Sequence, residues 1–207
     1  MHVAIPLYPR FTALDAVGPY TVFAFAPGWQ VTFVAAEPGP VTDDAGRLTL
    51  HAVAGYADLP RPDVVVVPGG PGTVEALGDR ALLDWITGAS RHARWTTSVC
   101  SGSFLLGAAG LLDGRRATTH WGWLDQLTTF GAVPVSERIV HDGDVVTAAG
   151  VSAGIDMALF LLGTAVDDRT AQAVQLAMEY DPQPPYRCGS PATAPAGLAE
   201  TALSLIK

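Results

Sequence analysis

Charged residues are scarce in this sequence, and acidic side chains outnumber basic ones. Only 15% of the 207 residues are Asp, Glu, Lys or Arg, with 20 acidic against 12 basic side chains. The 49% hydrophobic content excludes a largely disordered chain. The formal net charge of −8 and the absence of any Lys/Arg cluster argue against nucleic acid and anionic membranes as partners.

Signals for export and membrane insertion are also missing. No apolar run approaches the ~18 residues that a membrane-spanning helix needs. Residues 1–8 contain neither a basic region nor a cleavage site of small residues, and they are predicted as a first β-strand. The two cysteines, Cys100 and Cys188, do not suggest a disulfide framework. We therefore expect a cytoplasmic protein with free thiols.

Motifs for large cofactors are absent as well. The sequence has no Gly-x-Gly-x-x-Gly fingerprint and no P-loop, which argues against a nucleotide cofactor. No set of His, Cys and Asp residues has the short separations that zinc sites use. We expect a protein that works without a cofactor or a metal.

Alternating strand and helix patterns predict the fold class. The valine run at 64–67 is typical of a parallel strand that is buried on both faces. Such strands alternating with helices predict an α/β fold, a mostly parallel sheet with helices on both faces. The proline-rich segment 181–191 is predicted as an arm before a terminal helix at 196–206. We expect one domain over 1–207, with the arm and terminal helix at 181–207.

Several shorter elements complete this prediction. They are an accessory hairpin around 38–50, a helix over 81–93, a short strand at 117–121 that opens onto a helix, a hairpin of strands 133–140 and 145–147, and helices starting near 152 and over 170–180.

The segment 96–107 is the clearest candidate for chemistry. A β-branched run ends abruptly at Cys100, small residues follow at once, and an apolar helical pattern then runs through Leu106 and Leu111. This pattern predicts a strand, a sharp turn and a helix, with the sulfur at the helix amino end, where a thiolate is favoured. Cys100 is therefore a candidate nucleophile, and the alternative is a small buried apolar residue.

Further polar groups are predicted at the same edge of the sheet, where the parallel strands end. Asp15, at the start of the first helix, is positioned to exchange a proton with Cys100, or else serves as a helix N-cap. The N–H groups of Gly70 and Ser101 form a candidate pair for stabilising negative charge, and the Ser101 hydroxyl is a candidate catalytic group. This edge is where ligands bind in open α/β sheets.

His120 follows a predicted strand end and supports two interpretations. A Cys100/His120 pair is typical of a hydrolase that activates its thiol with a base. The alternative is a hydrogen-bonded structural histidine. Thr118 is a further candidate for orienting substrate or water, and four aromatic residues are candidates to line the pocket: Phe104, Trp121, Trp123 and Tyr186.

Taken together, these motifs resemble the ThiJ/PfpI superfamily of glutamine-amidotransferase-like proteins. The resemblance covers nearly the whole chain and rests on LDAVGP at 14–19, VPGG at 67–70, TSVCSGS at 97–103, ATTHW at 117–121, AGID at 153–156 and PPYRCGSP at 184–191. It implies a flavodoxin-like fold, a homodimer, a nucleophilic Cys100 and Asp15 as its proton partner.

Within this superfamily the chain most resembles the branch that hydrates isonitriles. That resemblance implies a small isonitrile as substrate, a thioimidate on Cys100 and an N-substituted formamide as product. Ser101 stands where the peptidase branch has histidine, which argues against proteolysis, and Thr21 stands where many relatives have an acidic residue. The alternatives are a glyoxalase-like or deglycase-like enzyme acting on α-ketoaldehydes and a non-catalytic sensor of ligands or oxidation.

Overall fold

The computed structural model describes residues 1–206; Lys207, the last residue of the predicted terminal segment, lies outside the described residues. The strands are β1 His2–Pro6, β2 Gln30–Ala35, β3 Gly39–Thr42, β4 Thr49–Ala52, β5 Ala54–Gly55, β6 Val64–Val67, β7 Trp95–Val99, β8 Arg116–Ala117, β9 Val133–Pro134, β10 Ile139–Asp142 and β11 Val145–Ala148. The α-helices are α1 Ala13–Phe25, α2 Thr73–Ala76, α3 Arg80–Ser90, α4 Gly102–Ala108, α5 Ala153–Ala165, α6 Asp168–Ala177 and α7 Leu198–Leu205, and a 3₁₀ helix spans Trp121–Phe130.

A seven-stranded sheet in the order β10-β11-β7-β6-β1-β2-β5 forms the centre of the molecule. Every pair in it is parallel except β10 with β11. The four valines of β6 are fully buried, as expected for a strand between two parallel neighbours. The predicted α/β, mostly parallel fold is therefore confirmed.

Two groups of helices cover the sheet. Helix α1 packs against α5 and α6, while α3 packs against α4. Gly154 in α5 lies so close to β7 that a Cβ atom there would be 2.9 Å from Cγ2 of Val99. This close approach brings the amino end of α5 beside the end of β7, where the predicted site begins.

The predicted hairpin of strands 133–140 and 145–147 is only partly correct. Strands β10 and β11 form an antiparallel hairpin, but Val133 and Pro134 instead pair in parallel with β8 in a separate sheet. Pro134 lacks the N–H that a continuous ladder needs, so the strand is interrupted there. The accessory hairpin of β3 and β4 is antiparallel as predicted.

Helix boundaries shift by a few residues from those predicted. Helices α3 and α6 begin where the side chains of Asp79 and Asp167 accept bonds from Leu82 N–H at 3.1 Å and Thr170 N–H at 2.7 Å. The predicted helix after 117–121 is a 3₁₀ helix interrupted at Trp123, whose φ of −130° is not helical.

The carboxyl-terminal part of the chain departs from the layered arrangement. Residues 178–197 form neither helix nor strand, in keeping with their proline content, and α7 follows. Within residues 1–206 no helix combines the length and the apolarity needed to span a bilayer.

Candidate active site

Cys100 occupies a sharp turn between β7 and α4. Its φ of 55° lies in the left-handed region, which costs a non-glycine residue conformational energy. Neighbouring groups hold the turn: Cys100 N–H donates to the carbonyls of Ala148 at 3.1 Å and Ala149 at 2.9 Å, and the Thr119 hydroxyl donates to Cys100 O at 2.8 Å. The strand, turn and helix therefore occur where the sequence predicts them.

A cavity of about 730 Å³ opens over this turn. Its walls come from seven parts of the chain: the loop after β1, the β3–β4 turn, the exit of β6, and the segments around 100, 120, 151 and 205. The lining residues are Arg10, Thr12, Asp44, Ala45, Gly70, Pro71, Thr73, Val74, Glu75, Cys100, Ser101, Phe104, His120, Trp123, Gln126, Val151, Leu205 and Ile206. Cys100 itself is only 5% exposed, so a reactant must enter the cavity to meet its sulfur.

Asp15 is completely buried and does not itself line this cavity, but it lies close enough to Cys100 for its charge to affect the pKa of that thiol. It is the third residue of α1, whose N-cap is Thr12, so the N-cap interpretation of Asp15 is wrong. Its Oδ2 accepts Gly69 N–H at 2.9 Å, and its Oδ1 has no partner among residues 1–206. Burial raises the pKa of Asp15 to about 8, although the Gly69 bond lowers it and the charge of Asp44 raises it further. Asp15 therefore holds a proton at neutral pH.

The Cys100 thiol is also neutral in the resting protein. Burial raises its pKa to about 12, and an ionised Asp15 raises it further, against the lowering effect of the N–H groups of Ser101 and Val151 and of the Ser101 hydroxyl. The expectation that the start of α4 favours a resting thiolate is therefore wrong. Helix α4 has only seven residues, and its dipole and N–H donors do not offset the loss of solvation.

The hydroxyl of Ser101 belongs to a group of hydrogen-bonded hydroxyls. Tyr8 donates its only proton to Pro68 O at 2.7 Å, so the Thr73 hydroxyl donates to Tyr8 across their 3.0 Å contact. Ser101 Oγ accepts Gly70 N–H at 2.9 Å, and its own proton has two acceptors, Thr73 Oγ1 at 3.0 Å and Gly70 O at 3.3 Å. Because the Thr73 proton goes to Tyr8, one lone pair of Ser101 Oγ stays available.

These hydrogen bonds bear on the expected pair of N–H donors. The Gly70 N–H is already bonded to Ser101 Oγ, whereas the Ser101 N–H lowers the pKa of the Cys100 thiol. The Gly70 N–H is therefore not free to bind a developing oxyanion. Local sequence placed both groups correctly at the sheet edge, but it carried no information on the Ser101 hydroxyl that occupies one of them.

His120 lines the cavity as a neutral donor. Its Nδ1 accepts Gly122 N–H at 3.2 Å, so the neutral ring carries its proton on Nε2. Burial lowers the pKa of His120, and its ring packs between those of Trp121 and Trp123, with centroids 5.1 and 4.9 Å away. Within the described chain His120 makes no hydrogen bond to Cys100, which disfavours a Cys/His pair in this state.

Thr118 is not brought to the cavity. It is buried, its N–H donates to Thr147 Oγ1 at 2.8 Å, and the neighbouring Thr119 is the residue that supports the Cys100 turn. The Thr21 hydroxyl donates to Val17 O at 2.7 Å within its own helix. Among the four candidate aromatic residues, Phe104 and Trp123 line the cavity.

Comparison with known proteins agrees with this geometry. Residues 1–164 match the model of the DJ-1/PfpI family. The chain belongs to the DJ-1/PfpI family. It is 46% identical over 202 residues to the isonitrile hydratase of Pseudomonas putida, a match that covers 98% of this chain and 88% of that protein. It is 32% identical over 139 residues to the transcriptional regulator CdhR of Pseudomonas aeruginosa, covering 66% of this chain and 40% of that protein.

Solved structures of DJ-1/PfpI proteins share the fold. A ThiJ/PfpI family protein from Pseudomonas syringae superposes with a TM-score of 0.95 at 40% identity, covering 99% of this chain and 85% of that one. The resemblance to this superfamily, and the flavodoxin-like fold that it implies, are thus confirmed.

Sequence reasoning missed three groups of this DJ-1/PfpI site. Thr73 and Tyr8 complete the group of hydrogen-bonded hydroxyls, and the Val151 N–H lowers the pKa of the Cys100 thiol. Val151 follows β11, so the signal that could have found it is the pairing of β11 with β7, which places both strand ends side by side.

Proposed function

We propose that this protein hydrates isonitriles, with Cys100 as nucleophile and Asp15 as proton donor. Extensive identity with the Pseudomonas putida isonitrile hydratase supports the reaction. The observation that carries the proposal is the buried, proton-bearing Asp15 carboxyl beside a buried Cys100 thiol. This pair can deliver a nucleophile and a proton to one substrate atom.

An isonitrile needs this combination more than it needs an oxyanion hole. Its terminal carbon holds a lone pair and becomes electrophilic once it is protonated, so no negative oxygen forms in the first step. A neutral carboxyl is a suitable acid for that carbon, and general acid–base help of this kind contributes roughly 10²–10⁴-fold. The occupied Gly70 N–H is consistent with such a reaction and disfavours acyl transfer.

In the first step the thiol adds across the terminal carbon. The Asp15 carboxyl gives its proton to the carbon, the Cys100 sulfur forms the C–S bond, and the thiol proton passes to Asp15. The product is a covalent thioimidate on Cys100, and Asp15 is protonated again. Covalent catalysis replaces one difficult addition by two easier ones.

In the second step water adds to the thioimidate carbon. The nitrogen takes the Asp15 proton while Asp15 takes one from the water, which gives a tetrahedral adduct. The C–S bond then breaks, the hydroxyl proton returns through Asp15 to the sulfur, and an N-substituted formamide leaves. The free lone pair of Ser101 Oγ and the Nε2 proton of His120 are suited to orient the water, and Gly70 keeps Ser101 in place.

The test is product analysis with intact-protein mass spectrometry after mixing the protein with cyclohexyl isonitrile. Formamide should accumulate with the wild-type protein and with Cys188→Ala, which removes the cysteine of the arm. Cys100→Ala should neither make formamide nor carry an adduct. Retained hydration by metal-free Cys100→Ala would contradict the proposed nucleophile.

The two alternatives predict different results in the same assay. An α-ketoaldehyde enzyme would consume methylglyoxal and form no formamide, although its hemithioacetal oxyanion lacks the Gly70 donor here. An oxidation sensor requires a reactive thiolate, whereas burial raises the pKa of the Cys100 thiol to about 12 and so disfavours the thiolate.

The proposal includes the expected organisation of the protein. We propose a cytoplasmic homodimer, and we propose that residues 1–207 form one domain. The core cluster that extends from Val3 to Val174 supports the proposed domain. Light scattering coupled to size-exclusion chromatography measures the oligomeric state, and a monomeric mass would contradict the dimer.

A further inference from the structure

One wall of the cavity comes from the carboxyl-terminal end of the chain. Leu205, the last residue of α7, and Ile206 line the cavity together with Phe104, Trp123 and Val151. These five side chains are apolar, whereas the residues from the loop after β1 and from the β3–β4 turn are mostly polar. The cavity therefore has an apolar side that depends on residues far along the chain from Cys100.

On this apolar side, helix α7 packs through Leu203 against Gly122. A Cβ atom at Gly122 would lie 2.5 Å from Cδ2 of Leu203, whereas the next nearest atom, Nδ1 of His120, would be 3.3 Å away. Gly122 lies between His120 and Trp123, which both line the cavity. The missing side chain at Gly122 thus leaves room for the side chain of Leu203, which packs there against the helix that carries the cavity residues.

The apolar residues of α7 contribute little to the protein core. None of its eight residues is buried, and Leu205 is 76% exposed. A helix this short is marginal in water, so its position depends on contacts such as the one between Leu203 and Gly122. Apolar side chains in such a segment gain most when a bound molecule covers them.

The proposed reaction determines which part of a substrate would cover them. The isonitrile carbon must reach Cys100, so the organic group has to occupy the rest of the cavity. A volume of about 730 Å³ is typical of sites for drug-sized ligands and exceeds what a methyl group fills.

We infer that Leu205 and Ile206 select isonitriles with bulky apolar organic groups, and that Gly122 is the positioning residue for this wall. This inference rests on the proposed function. It makes the carboxyl-terminal residues specificity determinants that do not take part in the chemical steps.

The test compares kcat/KM for cyclohexyl and methyl isonitrile. In the doubly substituted Leu205→Ala, Ile206→Ala protein, kcat/KM for cyclohexyl isonitrile should fall at least tenfold, the effect of lost methylene contacts. The value for methyl isonitrile should fall much less, so that the ratio of the two values decreases. Gly122→Ala should act in the same direction, because its methyl group displaces Leu203.

Two matched controls separate this effect from general damage. Leu176→Ala removes an 81% exposed leucine on α6, outside the cavity, and Gly88→Ala adds a methyl group on α3 where a Cβ meets nothing within 4 Å. Both should leave the ratio of the two kcat/KM values at the wild-type level. An unchanged ratio in the double variant and in Gly122→Ala would overturn the inference.

A second measurement keeps the wall testable if the proposed function fails. At pH 9, Cys100 is labelled with iodoacetamide or with a bulky aromatic maleimide, and peptide mapping separates it from Cys188. The substitutions at Leu205, Ile206 and Gly122 should raise the labelling rate with the bulky reagent relative to the rate with the small one. If the wild-type protein hydrates no isonitrile, the function is wrong. If the ratio of the two labelling rates also stays the same in the variants, the inferred role of Leu205 and Ile206 is wrong as well.

Discussion

The backbone N–H of Gly69 donates to Oδ2 of Asp15 at 2.9 Å, so the glycine-rich exit of β6 orients the buried carboxyl. A Cβ atom at Gly69 would lie 2.6 Å from the Ser101 nitrogen, which leaves no room for a larger residue. The same turn therefore positions the proposed acid on one side and the Cys100 segment on the other. Because Oδ1 has no partner within residues 1–206, this oxygen is available for proton exchange.

Asp15→Asn should abolish most of the activity and keep the fold. The amide oxygen can still accept the Gly69 N–H, but the side chain no longer has an acidic proton to give, and we expect turnover to fall roughly 10²–10⁴-fold. Steady-state kinetics and circular dichroism measure the two effects. Asp84→Asn, on the exposed face of α3, is the control and should behave as wild type. Near-normal turnover by Asp15→Asn would exclude Asp15 as the acid.

The pH dependence follows from the raised pKa of Asp15. The proton-bearing form is the active one, so kcat/KM should be level below pH 8 and decline above it, as Asp15 ionises with a pKa of about 8. A profile from pH 6 to 10 measures this decline. Activity that instead rises through pH 8 would indicate that the carboxylate is the active form.

The same pKa predicts how stability changes with pH. Asp15 ionises near 3.8 in the unfolded chain and near 8 in the folded protein, so between these values the folded state binds more protons. Its contribution to the free energy of unfolding therefore decreases as pH rises from 4 to 8, by at most about 1.4 kcal/mol per pH unit. Urea unfolding of wild type and Asp15→Asn across this range isolates the effect. Parallel curves for the two proteins would contradict it.

The backbone of the site could be predicted from the sequence better than the protonation states of its side chains. The valines of β6 and the small residues after Cys100 are local signals, and they correctly predicted a central strand and a sharp turn. The occupied Gly70 N–H depends on a hydroxyl 31 residues away, at Ser101, which no local pattern contains. The neutral Cys100 thiol likewise results from burial by several elements together.

Distant contacts account for the other differences. The pattern of α7 predicted a helix, but an eight-residue amphipathic segment does not indicate which surface it covers. Its place over Gly122 requires the folded positions of both segments. The contribution of Val151 similarly depends on the parallel pairing of β11 with β7, which brings two strand ends together.

Ser101→Ala should destabilise the protein through the loss of its hydrogen bonds. Removing the hydroxyl leaves Gly70 N–H without its acceptor and Thr73 Oγ1 without its contact to Ser101, which we expect to cost about 1–3 kcal/mol. Ser98→Ala is a matched control, because the buried Ser98 hydroxyl has no hydrogen-bond partner in the described part of the chain. Its loss should be neutral or stabilising in denaturant unfolding. Equal effects of both substitutions on stability would argue against a stabilising role for the hydrogen bonds of Ser101.

His120→Ala should leave substantial activity. The ring is a neutral donor through Nε2, and losing one neutral hydrogen bond of about 1 kcal/mol reduces turnover several-fold, whereas Cys100→Ala removes the nucleophile. Burial lowers the pKa of His120 from its ordinary value of 6.5, so kcat/KM should show no inflection due to this residue above pH 6.5. Parallel kinetics of both variants measure the contrast. A loss as deep as that of Cys100→Ala, with an inflection above pH 6.5 that disappears in His120→Ala, would instead identify a Cys/His hydrolase. Only a base that titrates in that range would produce both effects.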